Sequence, residues 1–381
     1  VKVRKAEKGT SPNLFYIDAD EASLNPSATP KTGEYFWNTQ TLGVGHFAKE
    51  AEKMAFTNGD VIAAVLEANN QYSTADEVAK EGPKKSIDVL MGKEARRIYD
   101  TPNKGILWGW EVSGYVWTKA ISAGVFLVLF LATIFGWAEP TAATEWWTYG
   151  LGLLFLTLTG VLLVMDLDQP TRFLYVLLRP HWGSWLVKGG YTITAYGGLL
   201  TLLAVGLYFD LPVVKQLAGW LTAIVAVVVA IYTAFLFGQA KGRDFWQSPT
   251  LAVHMLVHSF MAGAAALALV SGWSDTSAEW LNYLGVVMAV GIAVNLLTMV
   301  VELTMTHPTV DSHTVANMIT RGRYATKFYV GVILIGNLLP LALLLLGAGN
   351  WALLAASAAV LVGIYFTEQI WVEAPQRIAL S

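Results

Sequence analysis

Two textures divide the chain. Up to about residue 107, polar and apolar positions are mixed and charge recurs at nearly every turn. From Trp108 onward, apolar residues run almost unbroken and are separated by short polar connectors. Each run can cross about 30 Å of hydrocarbon at about 1.5 Å per residue. Eight such runs are present: Trp110–Trp137, Trp146–Met165, Trp185–Tyr208, Val213–Phe237, Leu251–Val270, Trp280–Leu303, Phe328–Leu346 and Trp351–Phe366. The pattern predicts an all-α membrane protein with eight transmembrane helices. An even number of crossings places both ends of this region on one side. Tryptophans at the run ends, among them Trp137, Trp146, Trp147, Trp182, Trp185, Trp246, Trp273, Trp280, Trp351 and Trp371, suit the headgroup boundary.

The first texture predicts a hydrophilic N-terminal arm, residues 1–107, which holds 14 of the 25 Lys/Arg and 15 of the 28 Asp/Glu. Helical patterning in Val44–Phe56, Asp60–Ala68 and Ile87–Ile98 suggests short helices laid against a partner, since none carries enough apolar surface for its own core. No apolar stretch near the start has the form of a cleavable export signal, so none is expected.

The eight runs also read as four repeated once. Lys119-Ala120-Ile121-Ser122-Ala123-Gly124 is echoed by His258-Ser259-Phe260-Met261-Ala262-Gly263. Asp166-Leu167 followed by Pro170-Thr171 is echoed by Glu302-Leu303 followed by Pro308-Thr309, and Ile231-Tyr232 by Ile364-Tyr365. A period of four spans predicts a parallel repeat of two four-helix bundles, residues 108–246 and 247–381.

Composition adds chemistry by exclusion. With 55% hydrophobic and only 14% charged residues, the chain is too apolar for a water-soluble globule, which would carry about a quarter charged. The absence of cysteine excludes a thiolate-bound iron–sulfur cluster or zinc, thioether-linked haem and disulfides. A net charge of −3 offers no field for nucleic acid. The connector charges are lopsided. Arg172, Arg179, Lys241, Arg243, Arg321, Arg323, Lys327 and Arg377 share the side of the arm, whereas the opposite connectors hold only Lys215. The positive-inside rule then predicts cytoplasmic termini.

Polar residues inside apolar runs are costly and therefore informative. Glu111 and Tyr115, one helical turn apart, present an acid and a phenol at headgroup depth beside Trp110; membrane anchoring is the alternative for that tryptophan. Lys119 falls roughly 14 Å further along, near mid-membrane, and must be paired, neutral or in a wet cavity. Asp166-Leu167-Asp168-Gln169-Pro170-Thr171-Arg172 closes the second run with two carboxylates and an arginine that could bind a polar head and exchange its protons, or merely cap a helix. Tyr232 precedes a connector that starts at Gln239. His254 and His258 share a face of the fifth run and could step protons inward, although a histidine satisfied by a carbonyl is the commoner case. Glu302 is an intramembrane carboxylate, and Glu368 and Arg377 near the C-terminal end could pair across the same surface.

These segments resemble the NrfD/PsrC family of membrane subunits, as in polysulfide reductase and related complexes. The resemblance covers residues 108–381. It rests on Trp108-x-Trp110 with Ser122-Ala123-Gly124, Asp168-Gln169-Pro170-Thr171-Arg172-Phe173, Tyr232-Thr233-Ala234-Phe235-Leu236 leading to Phe245-Trp246 and Pro249, Ala262-Gly263-Ala264-Ala265, and a tail like Val372-Glu373-Ala374-Pro375-Gln376. It implies a quinone, menaquinone or ubiquinone, bound near the side of the termini. A ferredoxin-like iron–sulfur subunit would dock there and serve a molybdopterin or tungstopterin subunit in a prokaryotic inner membrane. Tyr115, Asp168 and Tyr232 would face the quinone. Where the family uses an asparagine, this chain has Val112, so Glu111 is the expected substitute.

Together these readings assign proton exchange with the carrier to Asp168, Glu111 and His254. Carrier binding falls to Tyr115, Tyr232, Trp110, Arg172 and Gln239, and a proton route to Lys119, Asp166, His258 and Glu302, with no metal ligands. Two alternatives stand beside this reading. A haem b cytochrome needs axial histidines on facing helices, yet His254 and His258 share one. A secondary transporter would be expected to break its helices at the midplane, where Pro340 is the sole deep proline.

Overall fold

The computed structural model describes residues 106–167, 173–240, 242–271, 276–304, 309–347 and 349–378. The arm with its three helical stretches, and also Asp168, Arg172, Lys241 and Trp273, lie outside the described residues. The described chain is helical: α1 Trp110–Phe135, α2 Ala142–Met165, α3 Phe173–Leu178, α4 Trp185–Tyr208, α5 Pro212–Gly238, α6 Thr250–Ser271, α7 Ala278–Thr304 and α8 Val310–Thr320. A π-helical segment, Lys327–Leu338, then runs into α9 Leu339–Leu345, and α10 Asn350–Glu373 follows. Eight of these helices are long and apolar enough to cross a membrane: α1, α2, α4, α5, α6, α7, the π-helix with α9, and α10.

Local signals set the ends. Gly136 takes a left-handed conformation (φ 63°) and donates its N–H to Ala132 O, which ends α1. Thr141 accepts from Thr144 N to start α2, Pro212 opens α5 where its missing N–H costs nothing, and Thr309 caps α8 by accepting from Ser312 N. The eighth span runs past the expected Phe366, because Thr367 and Glu368 are buried in the protein rather than placed at its surface.

Helices α1 and α6 are the most enclosed spans. Each packs on the other, on α5 and on α10, while α2 adds to α1 and α7 to α6. Their contact is closest at Gly124 and Gly263. A Cβ on Gly124 would lie 1.8 Å from Ser259 O, and one on Gly263 would lie 2.0 Å from the Gly124 carbonyl carbon. In lipid there is no hydrophobic drive between helices, so backbone approach through small residues supplies the packing. These glycines are the two that the expected repeat would align. On the outside, Val286, Val290, Leu297 and Val300 form an exposed apolar stripe on α7 suited to acyl chains.

Two expectations need correction. Trp246, Trp280 and Trp371 do not belong to the boundary belt. All three are buried, because the Trp246 indole donates to Trp371 O (2.8 Å) and that of Trp371 to Glu302 (3.1 Å), while Trp280 packs on Tyr283. Trp137, Trp146, Trp147, Trp182 and Trp351 are exposed as a belt requires. The expected Glu368–Arg377 pair is not formed either. Glu368 turns inward to His258, and Arg377 bonds the Tyr324 hydroxyl (2.6 Å) and lies 3.9 Å from Glu373.

Candidate functional site

One group of buried polar residues lies where α1, α4 and α5 meet. Tyr115, Lys119 and Tyr232 are all at most 2% exposed. Lys119 Nζ donates to Ala230 O and Thr233 Oγ1, both at 2.8 Å, and lies 4.9 Å from the Tyr232 ring centre. The intramembrane amine is thus held by two acceptors and a π face, the kind of satisfaction its depth demands. Tyr232 fits because residue 189 is glycine: a Cβ there would stand 2.3 Å from the Tyr232 ring. The Tyr232 hydroxyl is buried beside Thr233 and makes no well-formed hydrogen bond among the described residues. Tyr115 counts Tyr232, Asp166 and Glu368 among its electrostatic neighbours.

At the membrane boundary beside this group stand Glu111 and Asp166, both half-buried. Asp166 follows the last turn of α2, and burial together with the Glu111 carboxylate pushes its carboxyl up to about 6. Trp108 stacks on Phe237 and Trp246 with ring centres 5.4 and 5.3 Å apart, closing the same end with aromatic surface.

A second group fills the space between α6, α7, the π-helix and α10. His254 Nδ1 lies 3.0 Å from Glu302 Oε2, and the same carboxylate accepts from Thr250 (2.9 Å) and Trp371 (3.1 Å). Ser248 lies 2.5 Å from Thr250 and extends this line toward the surface on the side where α6 begins. One turn deeper, His258 Nδ1 is 2.7 Å from Glu368 Oε1 and its Nε2 is 3.1 Å from Asn295 Oδ1. Asn295 donates to Asn337 (3.0 Å), which donates to Val332 O (2.8 Å). The two imidazole centres are 4.2 Å apart, and His254 Nε2 is buried without a partner among the described residues. Glu368 is an electrostatic neighbour of Lys119, which links the two groups.

Measured against the sequence, the structure gathers Tyr115, Lys119 and Tyr232 into one buried group, with Asp166 as an electrostatic neighbour of Tyr115 and Glu111 of Asp166. It gathers His254, His258 and Glu302 into another. Trp110 is 53% exposed at the start of α1, apart from the buried groups. Gln239 is committed at both ends of its amide, accepting from Trp185 N and donating to Gly183 O (both 2.8 Å), so it latches the connector before α4. Asn295 and Asn337 escaped the sequence reading. A lone amide in an apolar run carries the signal, but only the fold reveals that the two meet. Glu368 pairs with His258 rather than Arg377, because its turn of α10, surface-like in sequence, faces the protein interior.

Eight apolar helices enclosing chains of carboxylates, imidazoles, phenols and an amine, in a sequence without cysteine, define a multi-pass membrane protein with a polar, titratable interior. The chain belongs to the NrfD family (Polysulphide reductase, NrfD), which it matches over residues 100–377. It is similar to Protein NrfD of Escherichia coli (strain K12), with 24% identity over 299 residues that cover 68% of this chain and 92% of that one. It is accordingly a membrane subunit of the kind that works within redox complexes.

Proposed function

We propose that this chain is the membrane anchor and quinone- or quinol-reacting subunit of a multi-subunit oxidoreductase in a prokaryotic inner membrane. The observation that carries the reading is the Tyr232 hydroxyl, which is buried beside Thr233 and makes no well-formed hydrogen bond among the described residues. Leaving such a group unsatisfied costs about 1–3 kcal/mol, a cost that a quinone carbonyl accepting its proton would offset. The residues around it fit such a ring. Tyr115 supplies a second phenol, and Trp110, Asp168 and Arg172 belong to the rim in this reading. When bound, a quinone supplies the two-electron, two-proton couple that side chains lack. Tyr232 and Tyr115 orient it, and Glu111 and Asp166 hold or release protons at the boundary. Burial keeps water away from the deeper atoms.

Electrons must come from a neighbouring chain, because this one has no thiolate to hold a cluster. A ferredoxin-like iron–sulfur subunit docked over the α1 and α6 starts, serving a molybdopterin or tungstopterin subunit, meets that need, and the 1–107 arm grips it. The connector charges favour cytoplasmic termini. The register of Gly124 with Gly263 supports bundles at 108–246 and 247–381. Lys119, Asp166, His258 and Glu302, with His254 between the last two, form a proton route from the boundary toward mid-membrane.

Purification of the intact complex tests the main reading: iron together with molybdenum or tungsten, and one bound quinone lost in Tyr232→Phe, is the expected result. A chain that purifies alone, or a quinone content unchanged by Tyr232→Phe, overturns it. For the route, Glu302→Gln or Lys119→Met should lower proton release per quinone turned over while the turnover itself persists. An unchanged ratio refutes the route.

A further inference from the structure

The hydrogen bonds around His258 have a direction, and that direction fixes a proton. Val332 O can only accept, so the Asn337 contact at 2.8 Å is made by its amide nitrogen, and Asn337 Oδ1 then faces Asn295. Asn295 must present its nitrogen to Asn337 and its oxygen to His258 Nε2 at 3.1 Å. An amide oxygen only accepts, so His258 Nε2 carries a proton. Its other nitrogen, 2.7 Å from Glu368 Oε1, therefore shares one further proton with that carboxyl. The His254 side reads differently. Glu302 accepts the Trp371 indole N–H and the Thr250 hydroxyl, which suits a carboxylate, and His254 Nδ1–H donates to it. His254 Nε2 is left as a buried lone pair with no partner among the described residues.

We infer that His258 and Glu368 form a storage site for a single proton, with His254 Nε2 as its vacant acceptor and Asn295 and Asn337 as the positioning residues that set its polarity. The inference rests on the proton-route reading above and gives that route a loaded and an empty position. One nitrogen of each imidazole and a Glu368 oxygen lie within 4.8 Å of one another, a gap short enough for one water molecule to span. In the transfer the proton leaves the His258–Glu368 pair and an N–H bond forms at His254 Nε2. The first pair passes from neutral to one negative charge, and the His254–Glu302 pair passes from one negative charge to neutral. The total charge of the four groups is unchanged, so the step creates no new buried charge in a region where that would be costly. The polar and titratable groups that face this pair come from several elements: His254 from α6, Glu368 from α10, Asn295 from α7, Asn337 from the π-helix and, through Glu368, Lys119 and Tyr115 from α1.

Nitrogen-15 NMR of the full-length chain in lipid nanodiscs, labelled at histidine and assigned with His258→Gln, tests this without requiring turnover. The parent should show His258 protonated at Nε2, with Nδ1 strongly hydrogen-bonded. Asn337→Leu removes the anchor and lets the Asn295 amide turn, so the preference for Nε2–H should fall on the order of tenfold, the worth of one buried hydrogen bond. Asn337→Asp, protonated in this buried site, donates its O–H to Val332 O and still accepts from Asn295 through its carbonyl oxygen, and should leave His258 as in the parent. A purely structural role for Asn337 would leave the His258 signals unmoved in Asn337→Leu, or disturb them in both variants alike. Either pattern overturns the inference, and so does a parent His258 whose only ring proton is on Nδ1, a result that holds even if Asn337→Leu fails to fold. If instead the expected spectra coincide with an unchanged proton ratio in Glu302→Gln, the storage site stands and the route fails.

Discussion

Gly189→Ala is the sharpest single test of the proposed quinone site, because its effect can be worked from one distance. The added Cβ would stand 2.3 Å from Tyr232 Cε2 and 2.6 Å from Cδ2, against about 3.4 Å for ordinary contact, so the ring must retreat by roughly 1 Å. Tyr232 is 1% exposed, and the Lys119 amine beside its ring is tied to Ala230 O and Thr233, so the ring cannot move alone. Overpacking of this kind costs about 1–3 kcal/mol of stability. A displacement of about 1 Å in a positioning group can lower turnover about a hundredfold. The neighbouring Gly190→Ala is the control, because its Cβ would meet only Leu177 Cδ2 at 3.5 Å, an ordinary contact. Quinone-dependent turnover of the complex, together with quenching of a fluorescent quinone analogue by the membranes, reads both variants. Loss in Gly189→Ala with retention in Gly190→Ala is expected. Parental turnover in a folded Gly189→Ala, or equal loss in both, refutes the placement of Tyr232 at the quinone.

Other consequences follow from the same geometry. Gly124→Ala drives a methyl into Ser259 O and should lower the melting temperature of the purified chain by on the order of 5–10 °C, whereas Gly150→Ala, which meets nothing within 4 Å, should leave it equal or raise it. Asp166 releases its proton as pH rises through about 6, because burial and Glu111 disfavour its charged form. Quinone reduction should therefore fall, and quinol oxidation rise, across that pH, and Asp166→Asn should flatten both profiles. Gln239→Leu removes both amide contacts to the connector before α4 and should speed proteolysis near Gly183 while sparing the melting temperature of the bundle to within about 1 °C.

What could be read without coordinates was whatever one dimension records. Uninterrupted apolar runs specify eight crossings, since a helix satisfies its own backbone in lipid and needs no partner to declare itself. A buried Lys119, Glu302 or His258 is conspicuous for the same reason: nothing but a neighbour in the fold can meet its cost. The missing cysteine needs no fold to be informative. Partnership belongs to tertiary structure. Glu368 lies nine residues from Arg377 in sequence and 110 from His258, yet helix packing gives it the histidine. Asn295 and Asn337 meet because the π-helical segment carries the Asn337 amide against α7, with Val332 O of the same segment accepting from its nitrogen. Trp371 resembles a boundary residue until α10 is seen to carry it inward to Glu302. Length and hydropathy are sums over neighbours in the chain, so the sequence alone determines them. The direction of a hydrogen bond and the residence of a proton depend on which helices face each other, and packing alone decides that.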